Sequence, residues 1–100
     1  MTTIHPIETI VSDPHIKSGQ PVIAGTRLRV IDLIASYLYR GHEPEELATN
    51  FSLDLGQVHA ALAYYYQHKA EVDQMIRAEA EKAERLLADL EAQGKLTQVD

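Results

Sequence analysis

The sequence predicts a mainly α-helical fold with a short N-terminal β-hairpin, a core of three helices and a long C-terminal helix. Three observations lead to this prediction. Pro, Gly and Thr are most frequent before residue 30, apolar residues then recur at helical spacing, and no Gly or Pro lies between Gly56 and Gly94. We expect one domain over residues 1–68, made of a β element over 1–29 and a three-helix core over 30–68. Residues 69–100 would form an amphipathic C-terminal helix and tail.

The β element is indicated by short apolar runs that are separated by turn residues. Thr3–Val11 is predicted to be the first strand and Val22–Ile23 the second, and Arg27–Val30 can run back beside the second. Ser12–Pro14 and Ala24–Thr26 have the composition of tight turns. Strands of this length are too short to be stable on their own.

Helical spacing begins at Val30, and signals for helix ends divide the core into three helices. Arg40 followed by Gly41 is typical of a helix end. Pro44, followed by acidic residues in the first turn, is typical of a helix start. Ser52 or Asp54 can cap the third helix. The residues expected to face the core are Ile31, Ile34, Ala35 and Leu38 in the first helix, Leu47, Ala48 and Phe51 in the second, and Val58, Ala61, Leu62 and Tyr65 in the third.

The C-terminal third has the pattern of one long amphipathic helix. The 37 residues between Gly56 and Gly94 contain no helix breaker, but we expect a break near Gln67–Ala70, because an average helix has about 11–12 residues. The apolar face that follows could pack on its own domain, on a second copy or in a groove of a partner. This face comprises Val72, Ile76, Ala80, Ala83, Leu87 and Leu90.

Composition excludes several classes of function. The chain has 100 residues, no cysteine and a formal charge of −6, which leaves no disulfide framework, Cys-ligated zinc or thiol nucleophile. No secretory signal or membrane-length apolar stretch is present, so we expect a cytoplasmic protein without membrane contact. The five histidines lack metal-ligand spacing, and no phosphate loop or nucleophile motif occurs. We therefore expect no enzymatic activity, no cofactor and no metal site.

The three core helices have the outline of a helix-turn-helix motif over Pro44–Ala63. Ala48 is the small residue required where two helices cross closely, and Val58 is the aliphatic residue required midway along the second of them. Ser52 occupies the turn position that is often Gly. Any packed pair of short helices can show this pattern, so it also fits a helical core that only packs.

The residues that could contact DNA are few. Residues 1–42 hold four basic and three acidic residues, a net charge of +1, whereas residues 43–100 hold five and twelve, a net charge of −7. Phosphate contact is therefore expected from the β element rather than from the acidic helices. Its two arginines could instead be solvated or pair with Asp13 or Asp32. The candidate DNA-contacting residues are Arg27, Arg29, Gln57, His59 and Lys69.

Three consecutive tyrosines suggest a surface for a protein partner. If Tyr65 lies in the core, Tyr64 and Tyr66 flank it and stay partly exposed, because successive helical residues turn by about 100°. With Tyr37 and Tyr39 they could form an aromatic patch, or they could cap the core beneath the C-terminal helix. The candidate partner-binding residues are Tyr64, Tyr66, Val72, Ile76, Leu87 and Leu90.

The pattern of Gly, Pro and Thr residues in the N-terminal region resembles that of a known family. Gly19, Pro21–Ile23 and Gly25–Arg27 form the string GxPVIxGTR, preceded by Asp13–Pro14. The string resembles the bacterial domain of unknown function family 433, an antitoxin-like family with a homeodomain-like helical core, over about residues 7–68. Gly25 permits a turn with positive φ, and Thr26 can bond the local backbone. The helical residues that continue the match are Val30, Ile34, Leu38, Gly41, Glu45–Leu47, Leu53, Val58, Ala61–Leu62 and Tyr64.

The resemblance implies a VapB-like antitoxin of a type II toxin–antitoxin pair. Such a protein would bind and neutralise a PIN-like ribonuclease toxin, act as a homodimer and repress its own operon through operator DNA. The alternative is a DNA-binding transcriptional regulator with the same core and no toxin partner. The family offers no catalytic residues to carry over. Many relatives have Pro at the position of Arg29, where the first helix starts.

Overall fold

The computed structural model describes residues 1–93, which contain two short strands and four α-helices. The chain divides into two compact units, Met1–Lys69 and the residues from Ala70 onward. The elements, in chain order, are β1 (Ile10–Val11), a 3₁₀ turn (Lys17–Gly19), β2 (Val22–Ile23), α1 (Val30–Tyr39), α2 (Pro44–Phe51), α3 (Leu55–Gln67) and α4 (Lys69–Ala92). The prediction of a mainly helical fold with an N-terminal strand pair is confirmed.

The two strands pair antiparallel, with Ile10 opposite Ile23 and Val11 opposite Val22. The predicted first strand, Thr3–Val11, is wrong except for its last two residues. Pro6 has no N–H to donate, and the two-residue β2 pairs with Ile10 and Val11, beyond which the carbonyl of Thr9 accepts one further bond from the N–H of Ala24.

The segment predicted to return beside β2 does so without forming a strand. Val22 and Arg29 form a single antiparallel bridge, and the backbone N–H of Ile23 donates to the carbonyl of Leu28 at 3.0 Å. β2 therefore has neighbours on both edges. The start of α1 at Val30 ends the return segment.

The turn between β2 and this segment is fixed by two residues. Gly25 has a φ of +79°, a left-handed conformation that favours glycine. The Thr26 hydroxyl donates to the carbonyl of Ile23 at 2.8 Å and accepts from the N–H of Leu28 at 3.0 Å. The predicted roles of Gly25 and Thr26 are confirmed, and Arg27 lies on a turn held by hydrogen bonds.

Local signals set the helix ends. The N–H of Glu43 donates to the Glu46 carboxylate at 2.8 Å at the start of α2, and Ser52 ends that helix in a left-handed conformation. Asp54 caps α3 by accepting from the N–H of Gln57 at 2.8 Å. The predicted break after α3 is confirmed at His68, whose backbone leaves the helical region.

The core of the first unit lies among β2, α1, α2 and α3. All four residues predicted to be buried in α3 are buried, as is Leu47 in α2. In α1 the prediction for Leu38 is wrong, since its side chain is 39% exposed, and Leu33 is fully buried instead. These two residues are five positions apart and point about 140° apart around the helix. The buried face of α1 is thus rotated towards Leu33 from the stripe that spacing alone predicted.

Candidate interaction surfaces

Arg29 is tied into the start of α1. Its Nε and Nη2 atoms donate to the two carboxylate oxygens of Asp32 at 3.0 and 2.8 Å, and Nη1 donates to Gln20 at 3.3 Å. The pair is partly exposed, and the acidic partner lies in the first turn of the helix, where a negative charge is favourable. The alternative interpretation of Arg29, an ion pair with Asp32, is what the structure shows.

Arg27 is presented differently. Its side chain is exposed, and within residues 1–93 it makes no hydrogen bond or ion pair. Because the adjoining turn is held by Thr26, the arginine extends from a fixed piece of backbone. Of the two arginines of the β element, Arg27 is the one whose charge is open to a partner.

The candidate residues of α3 and beyond also have different roles. Gln57 is engaged at the helix start, where its Oε1 accepts from the N–H of Asp54 at 2.9 Å. His59 is exposed two residues further along the same helix. Lys69 lies over the Tyr65 ring, with its Nζ 5.5 Å from the ring centre. The structure thus leaves His59 available and gives Gln57 a capping role.

Tyr37 and Tyr66 are brought together by α1 and α3. Their hydroxyl oxygens lie 3.1 Å apart, and Tyr66 is 57% exposed. The hydrogen bond with Tyr66, followed by the charge on that residue, raises the pKa of Tyr37. Beside Tyr37 a cleft of about 360 Å³ is lined by the α1–α2 loop, including His42 and Glu43. We call this area, Tyr37 and Tyr66 with the adjoining loop, the tyrosine surface.

The other tyrosines do not join the tyrosine surface as one patch. Tyr39, 71% exposed, lines a separate cleft of about 340 Å³ with Asp32 and Phe51. Tyr64 is half-buried and stacks on His68 with a ring separation of 4.3 Å. As predicted, Tyr65 is buried and its two neighbours are at least partly exposed.

A hydrogen bond that the sequence did not predict shapes the loop beside Tyr37. The hydroxyl of Ser36, which is buried in α1, lies 3.0 Å from Nδ1 of His42. The available signal was the spacing of a helical Ser and a His across the stop at Gly41. The bond fixes the loop that lines one side of the tyrosine surface.

The helix α4 differs along its length in exposure. Val72 and Ile76 are buried, so the structure does not leave these two predicted partner-binding residues open. Leu87 is 50% exposed and Leu90 is half-buried. Leu86, which the prediction left out, is 61% exposed. Within α4 an accessible apolar face is offered by the segment from Ala80 to Leu90, which we call the outer part of α4.

Residues 1–93 contain no group of three or more His, Asp or Glu side chains that could hold a metal ion. Among the same residues, none of the helices combines the length and the apolar character required to cross a bilayer.

The first unit matches a family model described as "Protein of unknown function (DUF433)" over residues 10–65. The chain belongs to the DUF433 family. It is similar to a crystal structure at 2.00 Å resolution of a DUF433 member protein from Anabaena variabilis ATCC 29413. That structure has a TM-score of 0.62 and 33% sequence identity, covering 69% of this chain and 68% of the other. No curated protein matches the chain at a significant level.

The DUF433 match runs from β1 into α3 and therefore contains most of the candidate residues of the first unit. Arg27, Gln57, His59 and Tyr64 lie inside it, whereas Tyr66 and all of α4 lie outside. The resemblance inferred from GxPVIxGTR is confirmed at the level of the family. The exposed part of α4 is a feature that the matched DUF433 region does not include.

Proposed function

We propose that this DUF433 protein is the antitoxin of a type II toxin–antitoxin pair and neutralises a PIN-like ribonuclease by binding it. The observation that carries the proposal is the tyrosine surface, in which Tyr37 and Tyr66 form a hydrogen-bonded pair that is open to solvent. Tyrosine is enriched in protein interfaces because its ring supplies apolar area and its hydroxyl supplies a hydrogen bond.

The tyrosine surface is suited to binding because its parts are already fixed. The Tyr37–Tyr66 bond holds both rings, and the Ser36–His42 bond holds the neighbouring loop. A partner therefore need not immobilise these side chains, which reduces the entropy lost on association.

The charge of the helical region suits a ribonuclease. Residues 43–100 carry a net charge of −7, and Glu43, Glu45 and Glu46 are exposed at the start of α2, next to the loop of the tyrosine surface. A ribonuclease binds a polyanion and so presents a basic substrate groove. An acidic surface bearing tyrosines can occupy that groove in place of RNA.

Co-expression with the neighbouring gene product, followed by size exclusion and an RNA-cleavage assay, tests the proposal. We expect co-elution and loss of cleavage. Tyr66→Ala should weaken the complex by about 1–2 kcal/mol, as truncation of an interface tyrosine does. Tyr39→Ala is the matched control, because Tyr39 is also exposed but lines a different cleft. Absence of co-elution and of any effect on cleavage would contradict the proposal.

A second candidate function, DNA binding by a transcriptional regulator, is supported by Arg27. This arginine is exposed on a fixed turn and has no partner within residues 1–93. A homodimer would present it twice to operator DNA. A gel shift on the protein's own promoter at two salt concentrations tests this function, since phosphate contacts are strongest at low salt.

The matched control for DNA binding is Arg40→Ala. Arg40 is exposed and also basic, but it lies at the C-terminal end of α1. Arg27→Ala should weaken binding more than Arg40→Ala. No shift at low salt would rule the second function out.

A further inference from the structure

The outer part of α4 exposes apolar side chains on one side of the helix. Ala80, Ala83, Leu86 and Leu87 are exposed, and Leu90 is half-buried. At 100° per residue these five side chains fall within an arc of about 120°. Leucines at such positions gain free energy when another apolar face covers them.

Three of these residues also follow the spacing of a coiled coil. Ala83, Leu86 and Leu90, preceded by Glu79, are separated by alternating steps of four, three and four residues, which is the a/d pattern of two-stranded helix pairs. We propose that this seam binds the α4 helix of a second copy of the chain in antiparallel orientation. Ala83 then lies opposite the second copy's Leu86, and Glu79 lies opposite the second copy's Leu90 at each end of the contact.

The charges beside the seam favour a second copy as the occupant. Lys82 and Asp89 occupy the same flanking position of successive heptads, and neither makes an ion pair within residues 1–93. In an antiparallel pair these flanks face each other, so Lys82 meets the second copy's Asp89. The two-fold axis makes that contact twice. On the other flank Ala80 meets the second copy's Leu87, which is an apolar contact.

The same residues disfavour a parallel pair. Parallel helices in register would place Glu79 against the second copy's Glu79 within the seam, where two like charges repel. Lys82 would then lie beside an apolar Leu87 and gain no ion pair. Antiparallel helices also bring opposite ends of their dipoles together. The sequence of α4 is therefore self-complementary in one orientation only.

The contact is short, so we expect a weak dimer that exchanges with monomer. The seam from Glu79 to Leu90 spans twelve residues, about 18 Å of helix. Stable interfaces bury about 1,200–2,000 Å² in total, which is more than three or four helical turns provide. A dissociation constant on the order of 100 µM is the expected scale.

Sedimentation equilibrium of the full chain over a series from about 5 µM to about 1 mM brackets that constant. Ala83→Glu places a carboxylate in the seam, and Ala88→Glu places the same charge on the opposite, exposed side of α4. Both substitutions introduce a good helix former. We expect Ala83→Glu to weaken the dimer at least about tenfold and Ala88→Glu to change it less than about twofold. A monomer at every concentration, or equal effects of the two substitutions, would overturn the proposal.

Disulfide cross-linking tests the orientation, since the chain contains no cysteine of its own. A mixture of Leu90→Cys and Glu79→Cys chains should form a mixed disulfide. Leu90→Cys alone should not, because antiparallel pairing separates its two thiols by about 16 Å along the axis. A disulfide dimer of Leu90→Cys alone would show parallel pairing and overturn the orientation.

The dimer does not rest on the antitoxin role. Tyr66→Ala should leave the sedimentation behaviour unchanged, so failure of either proposal is visible without the other.

Discussion

The hydroxyl of Ser36 lies 3.0 Å from Nδ1 of His42, and this bond joins the second half of α1 to the loop that leads into α2. The six-residue separation spans the helix end at Arg40 and the positive φ of Gly41. A helix end that would otherwise be held by backbone alone thus has a side-chain tie, and that tie borders the tyrosine surface.

Removing this tie should reveal a coupling between the two side chains. We expect Ser36→Ala and His42→Ala to be non-additive, with a coupling of about 0.5–1.5 kcal/mol, the net value of a typical hydrogen bond. Urea unfolding of the wild type, both single variants and the double variant gives this number. Additive effects within experimental error would show that the bond contributes nothing to folding.

Because the buried face of α1 is rotated towards Leu33, truncation of two leucines of this helix should lower the free energy of unfolding by unequal amounts. Leu33→Ala should destabilise the protein by about 2–5 kcal/mol, because it leaves a cavity in the core. Leu38→Ala is the matched control and should cost less than about 1 kcal/mol, since its side chain is 39% exposed. Thermal unfolding followed by circular dichroism compares them, and a larger loss at Leu38 would contradict the observed packing.

Substitutions at two residues with a left-handed backbone conformation should have opposite effects on stability. Gly25→Ala should destabilise by about 1 kcal/mol, although an added Cβ meets nothing within 4 Å, because a φ of +79° disfavours any side chain. Ser52→Gly should stabilise by about 0.5–1 kcal/mol, since Ser52 has a φ of +57°. Denaturant midpoints measure both. Shifts of the same sign would disagree with the backbone geometry.

The hydroxyl pair predicts a distinct titration of Tyr37. Its folded-state pKa is raised, chiefly by the hydrogen bond to Tyr66, above the ordinary value of about 10. The contribution to stability is therefore present below that ordinary value and is lost as the pH rises through the folded-state pKa. In an NMR titration Tyr66→Phe should lower the pKa of Tyr37, whereas Tyr39→Phe should leave it unchanged. Identical titrations in the two variants would show that Tyr66 is not the cause.

Local chemistry explains which parts of the fold the sequence predicted. The end of α1 follows from Gly41, the start of α2 from Pro44 and the start of α3 from Asp54, because each acts on the backbone within a few residues. The turn at Gly25 and Thr26 has the same origin. The string GxPVIxGTR was specific for the DUF433 family for the same reason, since it is made of residues with fixed backbone roles.

Tertiary packing and side-chain contacts explain what the sequence did not predict. Spacing favoured Leu38, which falls on the stripe of Ile31, Ile34 and Ala35, over Leu33 on the other side of the helix, and the packing of α1 reverses that choice. The sequence left Arg29 as a candidate either for DNA contact or for an ion pair with Asp32. In the structure it pairs with Asp32, three residues further along at the start of α1. The hydrogen bond between Tyr37 and Tyr66 links residues 29 positions apart, and local sequence patterns do not predict contacts over such a separation.

The pairing of β1 with β2 determines where the chain can be shortened. The N–H of Ala24 donates to the carbonyl of Thr9 at 2.7 Å, and Val22 and Ile23 are fully buried next to β1. Trimming the first eight residues removes only exposed side chains. Cutting after Val11 would strip one edge from β2 and leave its backbone open to pair with another chain. Protease cleavage in vivo at that point would therefore convert a folded domain into one prone to aggregate, whereas an affinity tag before residue 1 should be harmless.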